Sequence, residues 1–247
     1  MQIKIDTHSH TLVSGHAFST IAEMANEAKN KGLDLLAITD HAPAMPGSTG
    51  MFYFQMLPMI ERDFPKHYGL PILFGSEVNI LNGNGDLDIP DSICRDLDLV
   101  IASIHPPCYD GTYSKEEITG AYIQVMNKGF VHIIGHPDDS RCLPDLEVLV
   151  KTAKKTRTLL EVNDSSMRIG SYREGARDNI LRLLQLCKQY EVSIVTGSDA
   201  HIDGHVGNFK KTQEILALAQ FPEELVATTD VKRLSEYVDL SRYSFEP

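Results

Sequence analysis

Apolar residues along this chain gather into short runs rich in Ile, Val and Leu, and most runs precede a stretch whose apolar positions recur with helical spacing. The runs at 3–8, 33–39, 72–79, 97–104, 131–135, 158–163 and 193–198 predict strands. The periodic stretches at 20–31, 52–66, 115–128, 145–155, 177–190, 209–219 and 230–237 predict helices. Thr20 with Glu23 and Ser114 with Glu117 have the spacing of capping boxes, in which hydroxyl and carboxylate each satisfy a free amide. Gly32 and Gly129 stand where helix C-terminal caps fall. Strand and helix alternating over short links predict parallel strands covered by helices, as a barrel or an open doubly wound sheet. Segment 80–89, with Asn82-Gly83-Asn84-Gly85, reads as a turn-bearing insertion, and no linker or low-complexity tract divides the chain. Residues 1–247 are therefore expected to form one domain.

Composition narrows the class. With 247 residues, 42% hydrophobic and 23% charged, the chain can bury one large core and is far from disordered usage. Its first residues, Met1-Gln2-Ile3-Lys4-Ile5-Asp6, lack the basic and apolar regions of a secretory signal, and no apolar run reaches membrane-spanning length. Cys94, Cys108, Cys142 and Cys187 are scattered without C-x-x-C spacing, as expected of reduced thiols in a cytoplasmic protein. A formal charge of -11 argues against a broad nucleic-acid-binding surface. Anionic small molecules stay open, because bound metal ions can make a positive site inside an acidic protein. The sequence carries no visible signal of oligomeric state.

The reactive side chains cluster by position. His8 and His10 end the first predicted strand, Asp40 and His41 the second, and Glu77 lies late in the third. His105 ends the fourth, His136 follows the fifth, and Asp199 and His201 follow the seventh. In a closed parallel barrel these ends meet on one rim. Two residues apart on an extended chain, His8 and His10 present both imidazoles to one face and can share an ion.

The series Asp6-Thr7-His8-Ser9-His10, Thr39-Asp40-His41, Gly75-Ser76-Glu77, Ser103-Ile104-His105, Gly135-His136-Pro137 and Gly197-Ser198-Asp199-Ala200-His201 resembles the PHP (polymerase and histidinol phosphatase) family in order and type. Ser14-Gly15-His16-Ala17, followed by Ser19-Thr20, narrows the resemblance to the YcdX-like phosphatases. The resemblance implies an α/β fold, a distorted (β/α)7 barrel of TIM-barrel type, with three divalent metal ions at its rim. It implies that His8, His10, Glu77 and Asp199 hold the first ion, that Glu77 bridges to a second held by His105 and His136, and that His16, His41 and His201 hold a third. Zinc suits so imidazole-rich a donor set, with manganese or iron as alternatives.

Neutral imidazoles and two carboxylates set a charge of about -2 against about +6 from three divalent ions, a balance that suits a phosphate dianion. The expected function is hydrolysis of a small-molecule phosphomonoester by in-line attack of metal-bound hydroxide on phosphorus. Asp6 and Asp40 stand beside metal histidines and could orient an imidazole N–H; Asp40 is also the candidate catalytic proton donor to the leaving group. Arg168 is the foremost candidate for gripping the phosphate, ahead of Arg173 and Lys115. His67 reads as a surface residue, His132 as a core histidine, and His205 as a flank of the site. Within the family, histidinol phosphatase is an alternative. An amidohydrolase-like hydrolase of C–N or carboxylic ester bonds is another, although no lysine sits at a matching strand end. A non-enzymatic scaffold would be expected to lack ligands, and every expected ligand is present.

Overall fold

The computed structural model describes residues 1–62, 67–243 and 245. Its strands are β1 (Ile5–Asp6), β2 (Leu35–Ile38), β3 (Ile72–Asn79), β4 (Leu99–Ser103), β5 (Ile133–Ile134), β6 (Leu159–Asn163) and β7 (Ile194–Gly197). They lie in sequence order and every neighbouring pair is parallel. The sheet curls into a barrel. At the upper rim β7 meets the chain after β1 through a Ser9 to Ala200 bridge, with Asp199 N donating to His8 O at 2.9 Å and His10 N to Ala200 O at 2.8 Å. Lower down, residues 226–228 stand between the two: Val226 bridges Ile194, and Lys4 N donates to Thr228 O at 3.0 Å. This is the distorted (β/α)7 barrel that the resemblance implied, and it decides between the barrel and the open sheet that the alternating pattern allowed.

Strand alternation sorts the side chains into two layers. Ile72, Phe74 and Val78 of β3 pack outward under the helices, in a core shared with Leu36, Ile38, Val100, Ala102, Leu160 and Val162. Leu73 points inward, with Ile5, Leu35, Leu99, Ile101, Ile133, Leu159 and Val195. The C-terminal segment closes the lower end of that inner core with Leu234, Val238, Leu240 and Tyr243. The Tyr243 hydroxyl donates to Asp98 Oδ2 at 2.6 Å, and the same carboxylate accepts from Phe74 N and Arg62. Removing that hydroxyl leaves a buried carboxylate short of one donor. Tyr243→Phe is expected to cost about 2 kcal/mol, read as a lower urea midpoint at unchanged slope.

Two helix expectations change. The stretch predicted at 52–66 is a helix only over Met51–Met56, followed by a 3-10 turn at Leu57–Met59, because Pro58 lacks an amide donor and its ring crowds the preceding turn. Its end, residues 63–66, lies outside the described residues. The last helix shortens to Val231–Leu234, capped by Asp230. Thr20 and Glu23 form the full capping box before Ile21–Asn30. Ser114 caps Lys115–Met126, but the Glu117 carboxylate turns instead to Thr112 N and the Tyr109 hydroxyl. Segment 80–89 is a small hairpin, with an antiparallel bridge between Ile80 and Leu87. No described helix is long and apolar enough to cross a membrane.

Candidate metal centre

Inward positions low in the barrel are apolar, and those near the rim are polar. Along β3 the inward series runs Leu73, Gly75, Glu77, Asn79, so the period that buries Leu73 also delivers Glu77 to the rim. Glu77 is fully buried and is ringed by imidazoles. Its Oε1 lies 2.7 Å from His136 Nε2 and 3.4 Å from His105 Nε2, and accepts from Ser103 Oγ at 2.7 Å. Its Oε2 lies 2.8 Å from His41 Nδ1, 3.3 Å from His8 Nε2 and 3.5 Å from His10 Nε2. Asp199 Oδ1 faces His10 Nε2 at 3.4 Å and His201 Nδ1 at 3.5 Å, while Oδ2 is held by Arg173 at 3.0 Å.

His16 arrives by a different route. Gly15, at φ 80°, lies so close to Gly47 that a Cβ there would sit 1.9 Å from the Gly47 carbonyl oxygen. Beyond it, Phe18 N donates to His201 O at 2.8 Å. The loop thereby sets the exposed His16 ring 4.9 Å from both the His41 and the His201 ring. All nine expected donors reach one rim. Their closest contacts cross the expected grouping, however: His41 sits against Glu77 and stacks on His10 at 4.1 Å.

Hydrogen bonds fix which imidazole nitrogens carry lone pairs. His8 Nδ1 donates to Glu161 Oε1 at 2.7 Å, which leaves its Nε2 unprotonated when the ring is neutral. His10 Nδ1 lies 3.2 Å from Ser14 Oγ, whose own proton goes to Asp40 Oδ1 at 2.7 Å, so His10 Nδ1 donates too. The two Nε2 atoms then face each other at 3.0 Å beside a carboxylate. Two lone pairs pointed at one another need a cation or proton between them. His105 follows the same logic, donating through Nδ1 to Asn79 Oδ1 at 2.8 Å. Near them, His41 Nδ1 and Glu77 Oε2 are buried without a hydrogen-bond partner among the described residues. Buried polar atoms seldom go unpaired, and this donor chemistry fits divalent metal ions. His8, His10 and Glu77 form one compact triplet of donors; His10, His41 and His201 form another, and His41, Glu77 and His105 a third.

Without metal, burial opposes charge on His8, yet Glu161, Glu77 and Asp199 outweigh it and hold its pKa well above the ordinary histidine value. Burial and the neighbouring His41 and His201 drive His10 well below that value and bring His16 down to about 4. Glu77 and Asp199 resist burial because His8 and other cationic neighbours pull both below the ordinary carboxylate range. A divalent ion held by His8 would take the place of that ring's second proton. The backbone is strained at the same place: His136 and Asp199 adopt φ of 28° and 52°.

The supporting acids divide differently from expectation. Asp6 touches no imidazole; it accepts the backbone amides of Ser198 at 3.0 Å and Gly207 at 2.8 Å. These contacts take over from the ladder where β1 ends early. Asp40 is fully buried and accepts from Thr11 N, Thr11 Oγ, Ser14 Oγ and the Tyr53 hydroxyl. Its oxygens are occupied by protein donors, which suits a positioning role behind His10. Tyr53, within an aromatic run read as helix packing, also holds Asp40, and Glu161 is an acid that the sequence reading does not single out. Glu161 binds His8 with one oxygen and the His136 amide, at 2.9 Å, with the other.

A cleft of about 520 Å³ opens over the cluster, and Arg168, Arg173, Arg141 and His205 line it. Lys115 does not. His67 is exposed, as expected. His132 is half-buried near the lower end of the barrel and accepts from Val100 N at 3.0 Å.

The sequence matches the model of the PHP domain over residues 6–230. It is 41% identical over 239 residues to a protein of Clostridium novyi named probable phosphatase, covering 96% of this chain and 95% of that one. A Thermoanaerobacter protein of the same description is 40% identical over 238 residues, with the same coverage. Among solved structures, histidinol phosphate phosphatase from Lactococcus lactis, complexed with zinc, L-histidinol and phosphate, superposes with a TM-score of 0.61 at 21% identity, over 90% of this chain and 95% of that one. That superposition bears on the fold; the family rests on the sequence match, which runs from the end of the first strand through the other six and every donor at the rim, and by it this chain belongs to the PHP domain family.

Proposed function

We propose that this chain is a metal-dependent phosphatase acting on small-molecule phosphomonoesters, with three divalent ions, zinc foremost, held by His8, His10, His16, His41, Glu77, His105, His136, Asp199 and His201. The observation that carries this reading is the convergence of imidazole nitrogens on Glu77 and Asp199 at the floor of an arginine-lined cleft. The zinc in the Lactococcus lactis protein and the phosphatase description of the close relatives support it. When bound, the ions supply Lewis acidity toward the phosphate and an acidified water.

The chain's own residues do the rest. Glu161 locks the His8 tautomer, and Asp40, through Ser14, locks that of His10. Arg173, already on Asp199, is placed to receive a phosphate oxygen from the cleft side. Arg168 lines the same cleft further out, where it would meet an anionic oxygen of the substrate. Hydrolysis breaks the ester P–O bond and forms one to the oxygen of water, whose protons end on the released alcohol and phosphate. A screen of phosphomonoesters against protein reconstituted separately with zinc, manganese and iron tests the reading. Hydrolysis of amides or carboxylic esters, with phosphomonoesters untouched, would overturn it.

The third ion has its own test. His16 is exposed and held by a loop, so His16→Ala should leave the barrel intact while removing one of three protein donors. Metal content is expected to fall from about three toward about two per chain, and turnover by about tenfold or more. Unchanged stoichiometry and rate would remove His16 from the donor set.

A further inference from the structure

The cleft above the donor cluster carries cations at graded depth. Arg173 is innermost, 5% exposed, with Nη2 on Asp199 and Nη1 on Asn163 Oδ1 and Ser166 Oγ. The Arg168 side chain is 23% exposed and that of Arg141 36%. The Tyr172 ring lies near both Arg141 and Arg173, whose guanidinium carbons stand 5.6 and 5.4 Å from its centroid, so all three share one wall. Arg141 commits Nε and Nη2 to Asp139, and its Nη1 has no partner among the described residues. Arg168 reaches Asp164 through Nε and the Ser198 carbonyl through Nη2. Its Nη1 lies 3.2 Å from His205 Nδ1. A guanidinium only donates, so His205 Nδ1 accepts and the N–H of that ring sits at Nε2.

The outer wall is thus a row of donors. The acids that hold Arg141 and Arg168, namely Asp139 and Asp164, stand behind them and do not line the cleft; Asp199 at the floor is the only carboxylate that does, among the described residues. In a chain with a net charge of -11, the cleft lining thus shows three arginines against one carboxylate. A phosphate group occupies a small part of about 520 Å³, a volume typical of sites for whole organic ligands.

We infer that the substrate is a phosphomonoester carrying a second anionic group, a carboxylate or a second phosphate, several bonds from the scissile ester. Arg141 and Arg168 grip that group while Arg173 and the donor cluster hold the phosphate that is removed. The inference rests on the phosphatase reading above and concerns only the outer cleft. It sets this chain apart from a histidinol phosphatase, whose substrate carries an ammonium on the carbon beside the ester methylene and has no second anion.

The test uses the zinc-reconstituted full chain and four phosphate monoesters of one four-carbon chain, ending in methyl, ammonium, carboxylate or phosphate. Relative to the methyl ester, kcat/KM is expected to rise about tenfold or more for the carboxylate, the phosphate or both, and to fall for the ammonium. The ranking of carboxylate against phosphate identifies which group the wall selects. In the double variant Arg141→Gln, Arg168→Gln the anionic-to-methyl ratio should collapse toward about one. Equal rates for the four esters, a preference for ammonium, or a ratio retained in the variant would overturn the inference and leave the phosphatase reading standing. Hydrolysis of none of them would overturn both. Should the variant fail to fold, the wild-type ranking decides alone.

Discussion

Glu77→Gln is expected to lose bound metal and turnover together, with kcat/KM falling about a thousandfold, or about 4 kcal/mol of transition-state stabilisation. Both oxygens of this carboxylate are in use: Oε1 meets His136, His105 and Ser103, and Oε2 meets His41, His8 and His10. An amide keeps one acceptor and turns the other position into a donor, so one group of imidazoles loses its anionic partner whichever way the amide lies. The site also loses one negative charge where several cations must gather. The inner apolar core lies lower in the barrel and should be untouched, so the urea midpoint of metal-free protein should change little. Elemental analysis beside single-turnover phosphate release checks the prediction. Full metal occupancy with an undiminished rate would remove Glu77 from the bridging position.

Gly197→Ala is expected to damage stability and metal affinity at once. A Cβ at this position would lie 2.2 Å from Glu161 Oε1 and 2.6 Å from His8 Cβ, and both side chains are fully buried. Glu161 has little freedom to yield, since His8 Nδ1, the His136 amide and Asn163 Nδ2 all hold it. The clash also falls where β6 and β7 pair, with Asn163 opposite Gly197. Overpacking of this kind costs about 2–3 kcal/mol. A displaced Glu161 no longer fixes the His8 tautomer, and loss of such a partner weakens metal binding about 10–100-fold. Urea unfolding of the metal-free form, with chelator competition on the loaded form, separates the two effects. Native stability combined with native metal affinity would show that Glu161 does not support His8.

Much of this arrangement follows from local chemistry. Strand periodicity of two, applied to 72–79, puts Leu73 and Glu77 on one face, and Glu77 then lies inward at the rim. The same parity over 159–163 puts Glu161 on the face of Leu159, and an acid within so apolar a run was a readable signal that went unused. Pro58 inside a periodic stretch was a similar warning of an early helix end. No comparable signal marks Tyr53, on the short helix Met51–Met56, whose partner Asp40 is set by how that helix packs on the barrel.

By itself the sequence determined the element order, the parallel strands and the identity of the donors at the strand ends, because side-chain alternation and helix capping act over a few residues. Only the tertiary structure decided how the ring closes, with residues 226–228 entering between β7 and β1 low in the barrel while residues 8–10 meet 199–200 at the rim. It also decided which imidazole nitrogens carry lone pairs, through Glu161, Ser14 and Asn79, and it brought Arg141 from the connection after β5 and Arg168 and Arg173 from the one after β6 onto one wall. Those outcomes depend on contacts between residues far apart along the chain, whose distances and angles exist only once the barrel has closed.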